Sequence, residues 1–230
     1  KRGTLLLIVS KPIGRLQFLA GKFLALVLTA ALLEAAILLV SAMAVKALLG
    51  FGPHVLTALL KVLPWIFLFS LLVIVVFTAV SVALSTLVRS ALVRNGVFTL
   101  VLVAVFAVGP VMRMAWPDIY EDYRVYYFDG GYNLGNVYVD ILDQTATGRL
   151  GPQAQAWLGI TTGAYRAGAE ELLTALVGAE GAFDPDIGAM PPSMERSTYV
   201  SPAVSLVGIV AVAVAVMAVA AIAFRREDVQ

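Results

Sequence analysis

Along the chain, long apolar runs alternate with short basic segments until one long stretch of mixed polarity breaks the rhythm. Four runs, about 24–45, 65–88, 96–112 and 202–224, are long enough to cross a hydrocarbon core, which takes roughly 20 apolar residues in a helix. The third sits at the short end of that range. The fourth alternates Val and Ala as a strand would, but its length and its Arg225–Arg226 flank predict a membrane helix. The pattern therefore predicts an all-α, polytopic transmembrane helix bundle with four spans in this chain. Between the third and fourth runs lies a partly helical loop, 113–201.

Composition supports this. The chain is 60% hydrophobic and 13% charged, more apolar surface than a soluble domain can hide. With no cysteine, disulfides, thiol catalysis and cysteine metal sites are excluded. A single histidine, His54, excludes a histidine cluster. The chain opens on Lys1 with no signal-peptide pattern, and we read it as the later portion of a longer protein.

Charge is segregated. Lys1, Arg2, Lys11, Arg15, Lys22, Arg89, Arg94, Arg225 and Arg226 lie before the first run, between the second and third, or after the fourth. Segment 113–201 instead holds five Arg and twelve acids. The excess of Lys and Arg in short loops marks the cytoplasmic side, so both chain ends are expected to be cytoplasmic and the long loop extracytoplasmic. The predicted organisation is a cytoplasmic segment at 1–22, three spans in 23–112, the outer loop at 113–201, the last span at 202–224 and a tail at 225–230. In the loop, Trp116, Tyr120, Tyr123, Tyr126, Tyr127 and Phe128 suggest a headgroup layer. The chain is mixed after Gly130–Gly131, helical propensity returns at 153–158 and 164–177, and 178–197 reads as loop.

The opening segment has chemistry of its own. Leu5, Leu6, Ile8 and Val9 form an apolar turn too short to span, followed by Ser10, Lys11 and Pro12. Pro12 turns the chain at Lys11, and Gly14 can cap a new helix starting near Arg15. Such a segment fits either an interfacial anchor or an element that docks on a partner. The run GTLLLIVSKPIGRLQFLAGKFLAL resembles the hallmark loop of the type-2 permease family of ATP-binding-cassette transporters. The resemblance rests on Gly3, Thr4, Leu5, Ser10, Lys11, Pro12, Arg15, Gly21 and Lys22, with Gly14 where the family usually has a hydroxyl residue. Ser201–Pro202 opening the last span and Phe224–Arg225–Arg226 closing it fit as well.

The resemblance implies a permease subunit in the plasma membrane whose four spans are the last four of six. It implies a second permease copy and a cytoplasmic ATP-binding subunit that docks on Leu5 to Pro12 and Arg15. Export is the expected direction, in the general manner of copper-processing, sodium-efflux and antibiotic-resistance systems. ATP and magnesium would sit on the partner, and no cofactor, metal, catalytic residue or nucleic acid is expected on this chain. Gly14 and Gly21 have six residues between them, whereas a nucleotide-binding loop has four, and Phe23 stands where that loop needs Ser or Thr. A membrane-anchored scaffold binding a partner through the outer loop is the alternative. An intramembrane enzyme ranks last, because it needs paired ionisable groups.

Within the spans, Glu34 is the charge at depth. It marks a pathway with Thr78 and Ser81, or is a protonated acid bonded to Ser70, Thr78 or Ser81. Gly208, Ala211, Ala215 and Ala218 recur on one helical face and suggest close packing within the bundle or across a dimer. Glu180, Asp184 and Asp186 lack the spacing of a calcium loop.

Overall fold

The computed structural model describes residues 14–49, 53–145, 150–166 and 194–226. The docking residues Leu5, Leu6, Ile8, Val9, Ser10, Lys11 and Pro12 lie outside them, as do Glu180, Asp184 and Asp186.

Helix α1 (Arg15–Leu49) starts directly after Gly14. The Gly14 carbonyl accepts from the Phe18 N–H at 3.0 Å, and its own N–H donates to Gln17 Oε1 at 3.1 Å. The second bond is the backward half of a capping box and satisfies a donor just outside the helix. At 35 residues, α1 is about 50 Å long, well beyond a hydrocarbon core of about 30 Å. Gly21 and Lys22 lie inside it, on regular helix and not in a phosphate-cradling loop.

Helix α2 (Pro53–Leu87) opens on proline, where the missing N–H costs nothing. Pro64 inside it removes one hydrogen bond to the carbonyl four residues back. The third span, α3 (Ala91–Ala115), is capped by Ser90 and contains a wide π turn at Ala104–Val108. Helix α7 (Pro202–Arg226) is the fourth. The helices of the first three spans run past the apolar stretches at one or both ends, since helical hydrogen bonding does not stop where hydrocarbon does.

Helix α2 packs on α1, and α7 packs on α2. Ser205, Ile209, Ala213 and Ala220 of α7 are buried, at intervals that share one helical face. The rest of the chain buries 22% or less of each apolar span window, so most of the apolar surface faces lipid or another subunit.

The segment between the third and fourth spans folds into a cap. After α3 come α4 (Pro117–Asp122), a 3₁₀ turn (Val125–Tyr127), α5 (Gly130–Gln144) and α6 (Pro152–Thr162). A short antiparallel ladder then pairs β1 (Tyr165–Arg166) with β2 (Glu195–Arg196), with Tyr165 opposite Arg196. Helix α5 is the centre of the cap, buried throughout 131–137. Its Leu134 and Val137 join Ile209 of α7, with Phe69, Leu72, Val73 and Val76 of α2 around them.

Three expectations for the loop need correction. The mixed stretch after Gly130–Gly131 is the long helix α5. Residues 164–166 are not helical, because Gly163 ends α6 in the left-handed region at φ 72°, its N–H donating back to the carbonyls of Leu158 and Gly159. The aromatic group does not act as one headgroup layer. Tyr120 is fully buried, and Tyr126 stacks on Tyr199 with centroids 5.1 Å apart, while Tyr123 and Phe128 are exposed.

Candidate functional site

The densest polar chemistry lies where α3 meets the cap. Asp129 is the N-cap of α5, its Oδ1 accepting from the Tyr132 N–H at 2.9 Å. Its Oδ2 accepts from Arg113 Nη1 at 2.5 Å and from the Tyr120 hydroxyl at 2.9 Å. Arg113, near the C-terminal end of α3, also donates to the Thr162 carbonyl at 2.8 Å. The pair is enclosed, with side chains 11% and 1% exposed. A methyl group on Gly109 would collide with the Asp129 carboxylate, and one on Gly163 would lie 2.5 Å from the Arg113 guanidinium. Both glycines are therefore required by close approach. Burial, then the Asp129 charge, pushes the Tyr120 phenol well above its ordinary value, so it stays a neutral donor.

A second network lies beside it. Arg166 bonds the Glu121 carboxylate and donates to the Tyr199 hydroxyl at 2.6 Å, and that hydroxyl donates to Glu121 at 2.9 Å. A third ties α5 to the start of α7. Asn136 Nδ2 donates to the Val200 carbonyl at 2.8 Å and to Ser205 Oγ at 3.0 Å. Arg196 donates to Asn136 Oδ1 at 3.2 Å and to Asp143 at 2.8 Å.

Between the first two networks opens a recess of about 400 Å³, walled by Pro110, Arg113, Met114, Ile160, Tyr165 and Tyr199 among others. Arg113 Nη2 is buried there without a hydrogen-bond partner among the described residues. Apolar walls with a few fixed polar groups are the usual make-up of a ligand recess. The guanidinium charges are already matched by Asp129 and Glu121, so the recess offers directional N–H groups and phenol rings, with no surplus charge and no activated nucleophile.

The membrane candidates are arranged differently. Glu34 is half-buried on α1, and no hydrogen bond or ion pair reaches it among the described residues. Lys22 Nζ touches Ser85 Oγ across α1 and α2 at 2.9 Å. Counting from that contact at 1.5 Å per residue, Glu34 is about 18 Å up the bundle, whereas Thr78 and Ser81 are only about 10 and 6 Å up. Glu34 is thus level with Val73, and the structure does not join it to Thr78 or Ser81. Gly208, Ala211, Ala215 and Ala218 are all exposed on α7, on a different face from its buried residues. Arg15 is the first residue of α1.

Sequence reasoning did not single out Arg113, Asp129, Asn136, Arg166 or Arg196 as partners. Asp129 ahead of Gly130–Gly131 carried a signal, an N-cap residue before a helix. The other pairings join residues 9 to 78 positions apart, which no short pattern reports.

Four helices long and apolar enough to span, bearing a folded cap with no catalytic constellation among its described residues, define a polytopic membrane protein built around its spans. The family model described as ABC-2 family transporter protein matches residues 1–229. The chain belongs to that family: it is a membrane permease subunit of an ATP-binding-cassette transporter, a transport component that is not itself catalytic. No curated protein and no solved structure matches the chain.

Proposed function

We propose that this permease couples ATP hydrolysis on a separate cytoplasmic subunit to export of a substrate. The observation that carries the reading is the family match over residues 1–229, with the apolar–basic–proline segment directly ahead of α1. In this reading the ATP-binding subunit grips Leu5, Leu6, Ile8, Val9, Ser10, Lys11, Pro12 and Arg15. Helix α1 is capped at Gly14 and unbroken for 35 residues, so it acts as a rigid lever. Closure of the ATP-binding subunits shifts the bundle between inward-open and outward-open arrangements, a two-state movement of packed helices. The basic ends lie in the cytoplasm and the acidic cap outside. A second permease copy covers apolar faces the chain leaves open, including the small-residue face of α7. Glu34 remains the pathway residue of this reading, since an ionisable side chain at depth with no partner among the described residues is a functional candidate.

The test is co-purification of the membrane protein in mild detergent, with ATP hydrolysis assayed on the bound material. Leu6→Asp with Ile8→Asp removes two apolar contacts of about 1.5–3 kcal/mol each, enough for a loss of ATPase retention of at least about a hundredfold. Unchanged retention would sink the docking role. Capture of an outer-face protein with no ATPase would favour the scaffold alternative.

A further inference from the structure

We propose that the groove between α2, α5 and the start of α7 binds a lipophilic amine, its apolar body against the helices and its ammonium on Asp140. The groove measures about 610 Å³, within the usual range of about 300–1,000 Å³ for a small-molecule site. Leu68 and Leu72 of α2, Ile141 of α5 and Leu206 of α7 are among its walls, and Asp140 is the ionisable side chain that lines it among the described residues. Leu68 and Leu206 are exposed, so the groove opens sideways onto the surroundings of the spans. Asp140 belongs to the cap and α7 begins at Pro202, so the carboxylate marks the end of the groove where spans and cap meet.

That carboxylate is only partly committed. Its Oδ2 accepts from the Gln144 amide, a neutral donor, at 2.8 Å. Its Oδ1 lies 3.8 Å from Arg196 Nη2, beyond hydrogen-bond reach. Arg196 is matched instead by Asp143 at 2.8 Å. Two carboxylates thus share one guanidinium, which leaves one negative charge in excess. The Asp140 side chain is 34% exposed, and an ionised carboxylate has about four acceptor sites, so Oδ1 can take a further N–H.

The charge decides the occupant. An anionic amphiphile would set its own charge against the excess. A zwitterionic phospholipid would bring a phosphate, and no cation among the described residues lines the groove to meet it. A plain alkyl chain would fit the walls and leave Asp140 unused. A protonated amine on an apolar body answers walls and carboxylate together. The inference stands on this geometry and does not require the transport reading.

The experiment is native mass spectrometry of the full-length protein released from phosphatidylcholine vesicles that carry equal small amounts of tetradecylamine and tetradecanol. The expected result is one retained amine, enriched about tenfold over the alcohol, the low end for a hydrogen bond to a charged group because Asp140 is partly exposed. Asp140→Asn brings the ratio to about one, and Asp140→Glu keeps the preference. Ala203→Trp, at an exposed residue of the groove wall, fills the groove and removes the amine with Asp140 in place, so the claim stays testable where the asparagine variant does not fold. A ratio unchanged by Asp140→Asn, or amine retained by Ala203→Trp, would overturn the proposal. Equal retention of amine and alcohol would mark a plain lipid-chain groove, and retention of neither in a dimeric species would mark one covered by a second copy; both outcomes overturn the amine assignment.

Discussion

Removing the carboxylate of Asp129 should open the cap while leaving the spans folded. Asp129→Ala strips the partner from Arg113, which is buried and held otherwise by one carbonyl. Breaking a buried pair from one side costs about 3–5 kcal/mol, because the remaining charge is left uncompensated. The same change removes the N-cap of α5, worth about 1 kcal/mol. The total is about 4–6 kcal/mol, more than a local unit of this size can lose without opening. The assay is hydrogen exchange by mass spectrometry on peptides from α5, because a multi-span protein gives no simple two-state melt. Exchange at 132–137 should rise by roughly three orders of magnitude or more, with α2 and α7 at mid-span unchanged. A cycle with Arg113→Met and Asp129→Ser separates the pair from the cap, since serine still accepts from the Tyr132 N–H. The two single changes should couple by about 2–3 kcal/mol, the double variant being less damaged than their sum. A coupling below about 0.5 kcal/mol would refute the claim that the ion pair seats the cap.

Gly163→Ala should destabilise the end of α6 by about 1–3 kcal/mol, from an L-residue held at positive φ and a methyl group 2.5 Å from the Arg113 guanidinium, read as faster exchange in 158–166. Alkaline pH should loosen the cap, since burial holds the Tyr120, Tyr132 and Tyr199 phenols above their ordinary value. Their folded values are raised, so this stability is fully present below about pH 10 and is lost as pH rises from there. Tyr120→Phe should lessen the slope by up to about 1.4 kcal/mol per pH unit, measured by exchange at stepped pH. Glu34→Gln should leave expression and assembly intact, because no described group depends on the charge; collapse of expression would show that the carboxylate has a structural partner.

The spans were legible because lipid leaves backbone polar groups no other partner than the helix itself. Glu34 and the basic flanks stood out against that uniform background. What the pattern missed at the span ends is where helices continue as structure, not as membrane. The cap was legible as partly helical, with 153–158 falling inside α6, but α5 was illegible for a different reason. Helix α5 begins with two glycines and carries Asn133 and Asn136, residues of poor helical propensity. It folds because Asn133 donates to the carbonyls of Tyr126 at 2.9 Å and Asp129 at 2.8 Å. Asn136 reaches Val200 and Ser205, at the far end of the segment between the third and fourth spans. The apolar stripe of Leu134, Val137 and Ile141 was present at helical spacing, but its partners are residues 69–76 and 209. Tertiary satisfaction overrode local propensity, and nothing local announces it.

The same helix explains why the cap and the spans cannot be treated as separate bodies. Gly130 and Gly131 lie against Val105 in the π turn of α3; a methyl group on Gly131 would sit 2.9 Å from the Val105 carbonyl. A π turn widens a helix and commonly marks a functional place; here it meets the glycine pair that opens α5. Six residues on from Gly130, about 9 Å, Asn136 is bonded to Ser205 of α7. Within two turns α5 is therefore joined to the third span at one end and to the fourth along its side. Any change in the spacing of those spans must tilt α5 or break one of these joints. Helix α1 packs chiefly on α2, and α2 in turn packs on α7 and α5. In the coupling reading, a force entering at Gly14 passes mainly through α2, with a smaller direct contact of α1 on α7, which makes the apolar contacts of α2 with Ile209 and Val137 the main place where that force is passed on or lost.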